Sequence, residues 1–141
     1  NLAPVTTRDP ELLAAADPLV LNEGEAAAVL DAAPGTPVED LIEDLRATAR
    51  SVVVTLGQRG ALILEKDAKP VHIPAVYVEH VVDTTGAGDA FCGTLAAALA
   101  QGETLVDACT LGAAAGALAT QKRGAAGSYA TENEIRRLGD A

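Results

Sequence analysis

The stretch SVVVTLG, residues 51–57, constrains this chain more than any other. Successive side chains of a strand point to opposite faces, so three valines in a row present hydrocarbon on both. Such a continuous β-branched run suits a strand buried on both faces. Its neighbours alternate in type. PLVLN (residues 18–22) reads as a strand and leads into EGEAAAVL, a short helix, before PGTP (34–37) breaks the chain. VEDLIEDLRATA (38–49) carries apolar residues at Val38, Leu41, Ile42 and Leu45, which is helical spacing. GALILEK (60–66) reads as another strand that turns through DAKP into an extended VHIPAVYVEHVV (71–82). Two Ala- and Gly-rich helical segments follow, 89–101 and 104–120, able to pack closely on each other or on a sheet. QKRGAAGS (121–128) is a loop, and TENEIRRL (131–138) a last short helix with Thr131 as N-cap and Glu134 at the capping-box position. Strands alternating with helices predict an α/β fold, a mostly parallel sheet flanked by helices. Ligands in such sheets sit beyond the carboxyl ends of the strands, where Asn22, Thr55 and Asp83 are expected.

Composition bounds the rest. A chain of 141 residues reads as one domain by length, and an apolar share of 49% is that of a globular protein. Only Phe91, Tyr77 and Tyr129 are aromatic, so the core is expected from Val, Leu, Ile and Ala. Twenty acids against ten bases give a charge of −10, which disfavours nucleic acid as a partner because phosphate binding relies on Lys and Arg. No apolar run reaches the ~20 residues of a membrane span, and the N-terminus has no basic, signal-like region. Cys92 and Cys109 are too far apart for a metal-type pair, no His cluster exists, and two buried thiols in a reducing cytoplasm are expected. Ser51 and Ser128 lack a nucleophile-elbow context.

The motif VVDTTGAGDAFCG (81–93) raises the sharpest question. Gly86 and Gly88 permit unusual backbone geometry, and a helix starting near Gly88 would converge free N–H groups and a positive dipole end on one point. A phosphate fits there, with Asp89 in the first turn able to take a proton from an attacking hydroxyl. Ordinary helix capping explains the same residues. The segment lacks the lysine of a P-loop, and Phe91 stands where a dinucleotide fingerprint needs its third glycine. Asn22 and Glu25 in NEGE can order the waters around Mg²⁺ or simply form a capping box. TLGQRG (55–60) offers a hydroxyl, flexible backbone and Arg59, or is merely a link between strands.

In order and spacing, NLAP, NEGEA, VVVTLGQRGA, VDTTGAGDAFCGTLAAALAQG and ATQKRGAAGS resemble the C-terminal half of the ribokinase-like (phosphofructokinase B) carbohydrate kinase family. DTTGAGDAF is the most specific element, and the likeness runs over nearly the whole chain. TLGQRG and the late RGAAGS point to its ribokinase branch. The resemblance implies ATP-dependent phosphorylation of a sugar hydroxyl, D-ribose first, with another sugar or a nucleoside as alternative. Asp89 is then the catalytic base and contacts the acceptor hydroxyl. Backbone N–H groups of Gly86, Ala87 and Gly88 form an anion hole. Asn22 and Glu25 act near Mg²⁺ and the phosphates, and Thr55, Leu56, Gly57, Gln58, Arg59 and Gly60 line the nucleotide. A monovalent cation, K⁺, is implied at Asp83, Thr85, Ala119, Lys122, Gly124 and Ser128, several through carbonyls. Ala113 replaces a polar residue that touches adenine in many members. The family's N-terminal half, with most sugar contacts and a small β-sheet lid, lies outside this sequence, so the chain reads as the C-terminal nucleotide-binding and catalytic part. Alone, it is expected to be inactive. The complete protein is expected to be cytoplasmic, with a homodimer as one prospect.

Overall fold

A computed structural model describes residues 1–139, which gather into two compact units. Unit 1 comprises Asn1–Gly57 and Ala61–His72, and unit 2 comprises Gln58–Gly60 and the chain from Ile73 on.

In unit 1 the expected elements form. Helix α1 (Pro10–Ala14) precedes strand β1 (Leu19–Asn22) and helix α2 (Glu23–Val29). A 3₁₀ turn (Val38–Asp40) and helix α3 (Ile42–Thr48) lead to β2 (Ser51–Thr55), β3 (Ala61–Glu65) and β4 (Val71–Ile73). The continuous helix expected over residues 38–49 is broken at Leu41. There the N–H reaches only three residues back, to the Val38 carbonyl, and the α-helix starts afresh.

The strands lie in the order β1-β2-β3-β4. β1 and β2 are parallel, with Leu19 opposite Val52 and Asn22 opposite Thr55. β2 and β3 are antiparallel, because residues 56–60 are far too few for a crossover. The sheet in this chain is therefore mixed, not mostly parallel. Val52, Val53 and Val54 are all fully buried, so β2 has no wet face, as its sequence required. Leu13, Leu21, Val38, Leu45, Val54 and Leu64 belong to one apolar cluster between the sheet and the helices of this unit. Arg46 pins α3 to the sheet, donating from Nε to the Glu65 carbonyl at 3.0 Å and from Nη2 to the Ala68 carbonyl.

Unit 2 holds the helices α4 (Ala87–Ala100), α5 (Leu105–Ala119) and α6 (Glu132–Gly139). The extended reading of residues 71–82 is corrected here, since only Val71–Ile73 is a strand. Pro74 has no N–H for a ladder, and the chain from there to Gly86 is irregular. Asp83 consequently follows a loop and not a strand end.

Helices α4 and α5 pack with almost no gap. A Cβ on Gly112 would stand 3.1 Å from the Phe91 ring, and one on Gly116 would stand 3.2 Å from the Ala87 carbonyl oxygen. Helix α6 is fastened by Arg136, which pairs with Glu132 at 3.0 Å and Glu103 at 3.3 Å and donates to Gln101 at 3.0 Å.

Leu21 is 1% exposed in the middle of the unit 1 core. Leu21→Ala is expected to cost about 2–5 kcal/mol through lost transfer energy and a residual cavity. Urea unfolding should show a lower midpoint with an unchanged slope.

Candidate functional site

The glycine-rich corner at residues 83–89 is built from backbone hydrogen bonds and one carboxylate. The Thr120 carbonyl accepts from the N–H groups of both Val82 (2.7 Å) and Asp83 (3.1 Å), clamping the irregular segment to the end of α5. The Asp83 carboxylate then bridges two loops. Oδ1 accepts from the Thr85 N–H at 2.9 Å, and Oδ2 accepts from the Gly124 N–H at 2.9 Å. Those two amides, Gly124 first, hold its pKa down at about 2.

Gly86 comes next, with φ 82°, in the left-handed region that favours glycine. It is also pressed against the second loop, where an added Cβ would lie 2.8 Å from the Ala125 Cβ. Position 86 thus requires glycine on two independent grounds. Ser128, fully buried, locks that loop by donating from Oγ to the Ala125 carbonyl at 2.6 Å.

Because Gly86 is the N-cap of α4, no side chain caps this helix. The other capped helices differ. Asp9, Asn22 and Thr104 each accept from a first-turn N–H of α1, α2 and α5. In α4 the Ala87 N–H turns back to the Thr84 carbonyl at 3.2 Å, and Ala90 makes the first helical bond, to the Gly86 carbonyl at 2.8 Å. Gly88 and Asp89 lie between them, and among the described residues no protein acceptor takes their N–H groups. Both residues are exposed. Two free donors at the positive end of a 14-residue helix make a ready anion site, with the Asp89 carboxyl beside it in the first turn. Of the three amides expected to form an anion hole, Ala87's is thus committed to Thr84, while Gly88's has no protein acceptor among the described residues.

The residues expected around a monovalent cation fall on the two loops that this network ties together. Asp83 and Thr85 lie on one, and Lys122, Gly124 and Ser128 on the other, with Ala119 at the end of α5. The Ala119 carbonyl also accepts from the Lys122 N–H at 3.4 Å. Sequence reading missed Thr120, Thr84 and Ala125. They act through backbone or a bare Cβ, for which residue type carries no signal.

In unit 1, Asn22 and Thr55 sit side by side at the carboxyl ends of the parallel pair, as expected. Asn22 Oδ1 accepts from the Glu25 N–H and Glu25 Oε2 from the Asn22 N–H, both at 2.8 Å, a complete capping box. That leaves Glu25 Oε1 and the Asn22 side-chain amide for other partners. Thr55 and Leu56 run into a 3₁₀ turn, Gly57–Arg59, which carries Gln58. Gly60 (φ +91°) closes it so tightly that a Cβ there would lie 2.0 Å from the Ile73 carbonyl oxygen.

Of the two thiols expected to be buried, only one is. Cys109 is buried and its thiol is pushed up to about 12 by desolvation, while Cys92 is half-buried. Ser51 Oγ donates to Asp17 at 2.6 Å. Among the described residues, no three His, Cys, Asp or Glu side chains cluster, and no helix is long and apolar enough to cross a membrane.

Comparison with known proteins bears on the family and the fold. The model of the pfkB family carbohydrate kinases matches residues 2–132. The bifunctional protein HldE of Bradyrhizobium is 40% identical over 91 residues, 64% of this chain and 18% of its own. The ribokinase structure from Thermotoga maritima superposes with a TM-score of 0.87 at 30% identity, covering 99% of this chain and 48% of that one. That of Arabidopsis thaliana ribokinase, complexed with ribose and ATP, gives 0.84 at 28%, covering 94% and 43%. The chain spans less than half the length of these relatives.

The Asp83 bridge makes a pH prediction. A carboxyl held at about 2 against an ordinary 3.8 stabilises the fold fully above its unfolded value and loses that contribution as pH falls through the folded one. Acid unfolding of the native chain should therefore include a component between about pH 4 and pH 2 that Asp83→Asn lacks. A carbon-detected NMR titration should show the Asp83 carboxyl titrating at the bottom of that window.

Proposed function

The chain belongs to the pfkB family of carbohydrate kinases, and we propose that it is the catalytic, nucleotide-binding part of an ATP-dependent kinase that phosphorylates a sugar hydroxyl. The favoured reaction is D-ribose to ribose 5-phosphate. One observation carries this reading: the first turn of α4 offers two N–H groups without protein acceptors next to an exposed carboxylate. The two ribokinase superpositions support the choice of sugar.

Phosphoryl transfer passes through a loose transition state, so catalysis rests on alignment and on stabilising charge over the equatorial oxygens. The backbone at Gly86, Ala87 and Gly88 cradles the moving phosphoryl group, with the Gly88 N–H as its free donor and the helix dipole behind it. Asp89 accepts the proton of the acceptor hydroxyl. A carboxylate is a weak base, but in a loose transition state the proton leaves late, so position matters more than basicity.

The loop after β2 takes the nucleotide. Thr55, Leu56 and Gly57, continuing into Gln58, Arg59 and Gly60, line its phosphates and ribose, and their close turn lets backbone approach the ligand. Magnesium, when bound, neutralises phosphate charge. Asn22 and Glu25 retain one amide and one carboxylate oxygen outside their capping box, a donor set suited to holding the ion's waters. For K⁺, the Asp83 carboxylate, the Thr85 and Ser128 hydroxyls and the carbonyls of Ala119, Lys122 and Gly124 are oxygen donors only, which fits a hard cation. Asp83 stays ionised at any working pH, so its charge is always available.

A second reading keeps the chemistry and changes the acceptor to another sugar or a nucleoside. The nucleoside kinase of Burkholderia thailandensis, solved in complex with inosine and 30% identical to this chain, favours it.

In the complete protein, Asp89→Asn is expected to lower turnover by roughly 10²–10⁴-fold with ATP and ribose, the span for losing a general base. Near-normal ADP production by that variant would remove Asp89 from the role. A panel of sugars and nucleosides decides the acceptor, ribose giving the highest kcat/KM if the favoured reading holds.

A further inference from the structure

We propose that Gly116, supported by Gly112, is a positioning residue for phosphoryl transfer, acting across the α4–α5 seam on the peptide group that carries the Gly88 N–H. The proposal rests on reading the first turn of α4 as the phosphate site.

The constraint is one of covalent geometry. The Ala87 carbonyl and the Gly88 N–H belong to one peptide unit, and that unit is rigid and planar. A Cβ at position 116 would stand 3.2 Å from the Ala87 oxygen and 3.9 Å from the Ala87 carbonyl carbon. Those approaches leave little slack, so a side chain there must shift the carbonyl. The N–H on the other side of the same plane then moves with it. That N–H is one of the two free donors of the site.

Gly112 lies one turn earlier on the same face of α5 and does the same for the next turn of α4. A Cβ there would stand 3.1 Å from both the Phe91 ring and the Phe91 carbonyl oxygen. Together the two glycines let α5 serve as a flat rest for the start of α4. Neither residue touches a ligand in this account. Helical glycine also lowers intrinsic stability, so a chain that needed only helix here would gain from alanine.

The test uses the complete protein with ATP and its best sugar. Gly116→Val is expected to lower kcat by about tenfold or more, since displacements below 1 Å suffice to disturb reactive alignment, while both KM values stay within about twofold. Gly116→Ala should fall between it and the native protein, and the Gly88 amide resonance of the free protein should move in both. Gly93→Ala, on α4 with nothing within 4 Å of the added methyl, is the control and should keep native kcat without a lower Tm.

A folded Gly116→Val with native kcat would overturn the proposal. So would a loss of kcat accompanied by an equal rise in both KM values, which marks general loosening. Should Gly116→Val not fold, Gly116→Ala decides: native kcat and an unmoved Gly88 resonance would refute the seam. An ATP analogue titrated onto the native complete protein separates the two levels. If it leaves the Gly88 amide resonance unmoved, the phosphate-site reading itself fails. If it moves that resonance while the Gly116 variants turn over normally, only the seam fails.

Discussion

One carboxylate holds the corner on which the chemistry depends. Asp83 accepts from Thr85 on its own loop and from Gly124 on another, and so fixes the entry to α4 against the segment that follows α5. Without that bridge, residues 83–86 would be a glycine-containing loop with many conformations, and ordering it would fall to the ligand. With it, the entropy is spent in folding and the corner is shaped in advance of any ligand. The Thr120 carbonyl and the buried Ser128 serve the same purpose from behind.

Helix α4, like α3, has no side-chain cap, while α1, α2 and α5 are each closed by a side-chain oxygen. A cap would satisfy the first-turn donors and neutralise the site. Glycine at the N-cap allows the left-handed turn and adds no competing acceptor. The stability forgone is of the order of 1 kcal/mol, the usual worth of a good cap. The tight helix–helix seam and the Arg136 cluster are where unit 2 gains packing in return.

Much of this was legible in the residues. The valine run set a buried strand, periodicity placed α3 to within a few residues, and Ala- and Gly-rich composition did so for α4 and α5. DTTGAGDAF marked the uncapped corner. What sequence could not carry was set by backbone geometry or by chain length. The antiparallel β2–β3 pair follows from a connection too short to cross over. The loss of strand after Ile73 follows from one missing N–H at Pro74. Thr120 and Thr84 contribute carbonyls, which every residue has. Asn22 and Glu25 show the limit from the other side: their capping box is present in full, and it uses only one oxygen of each side chain.

The central claim is that the free N–H groups at the start of α4 receive the terminal phosphate of the nucleotide. The most direct measurement is an amide-resolved NMR titration of the complete protein with an ATP analogue whose last phosphate cannot transfer, in the presence of sugar. The account predicts saturable downfield shifts at Gly88 and Asp89, absent with the analogous nucleoside. Binding that leaves both amides unmoved while shifting others would contradict it.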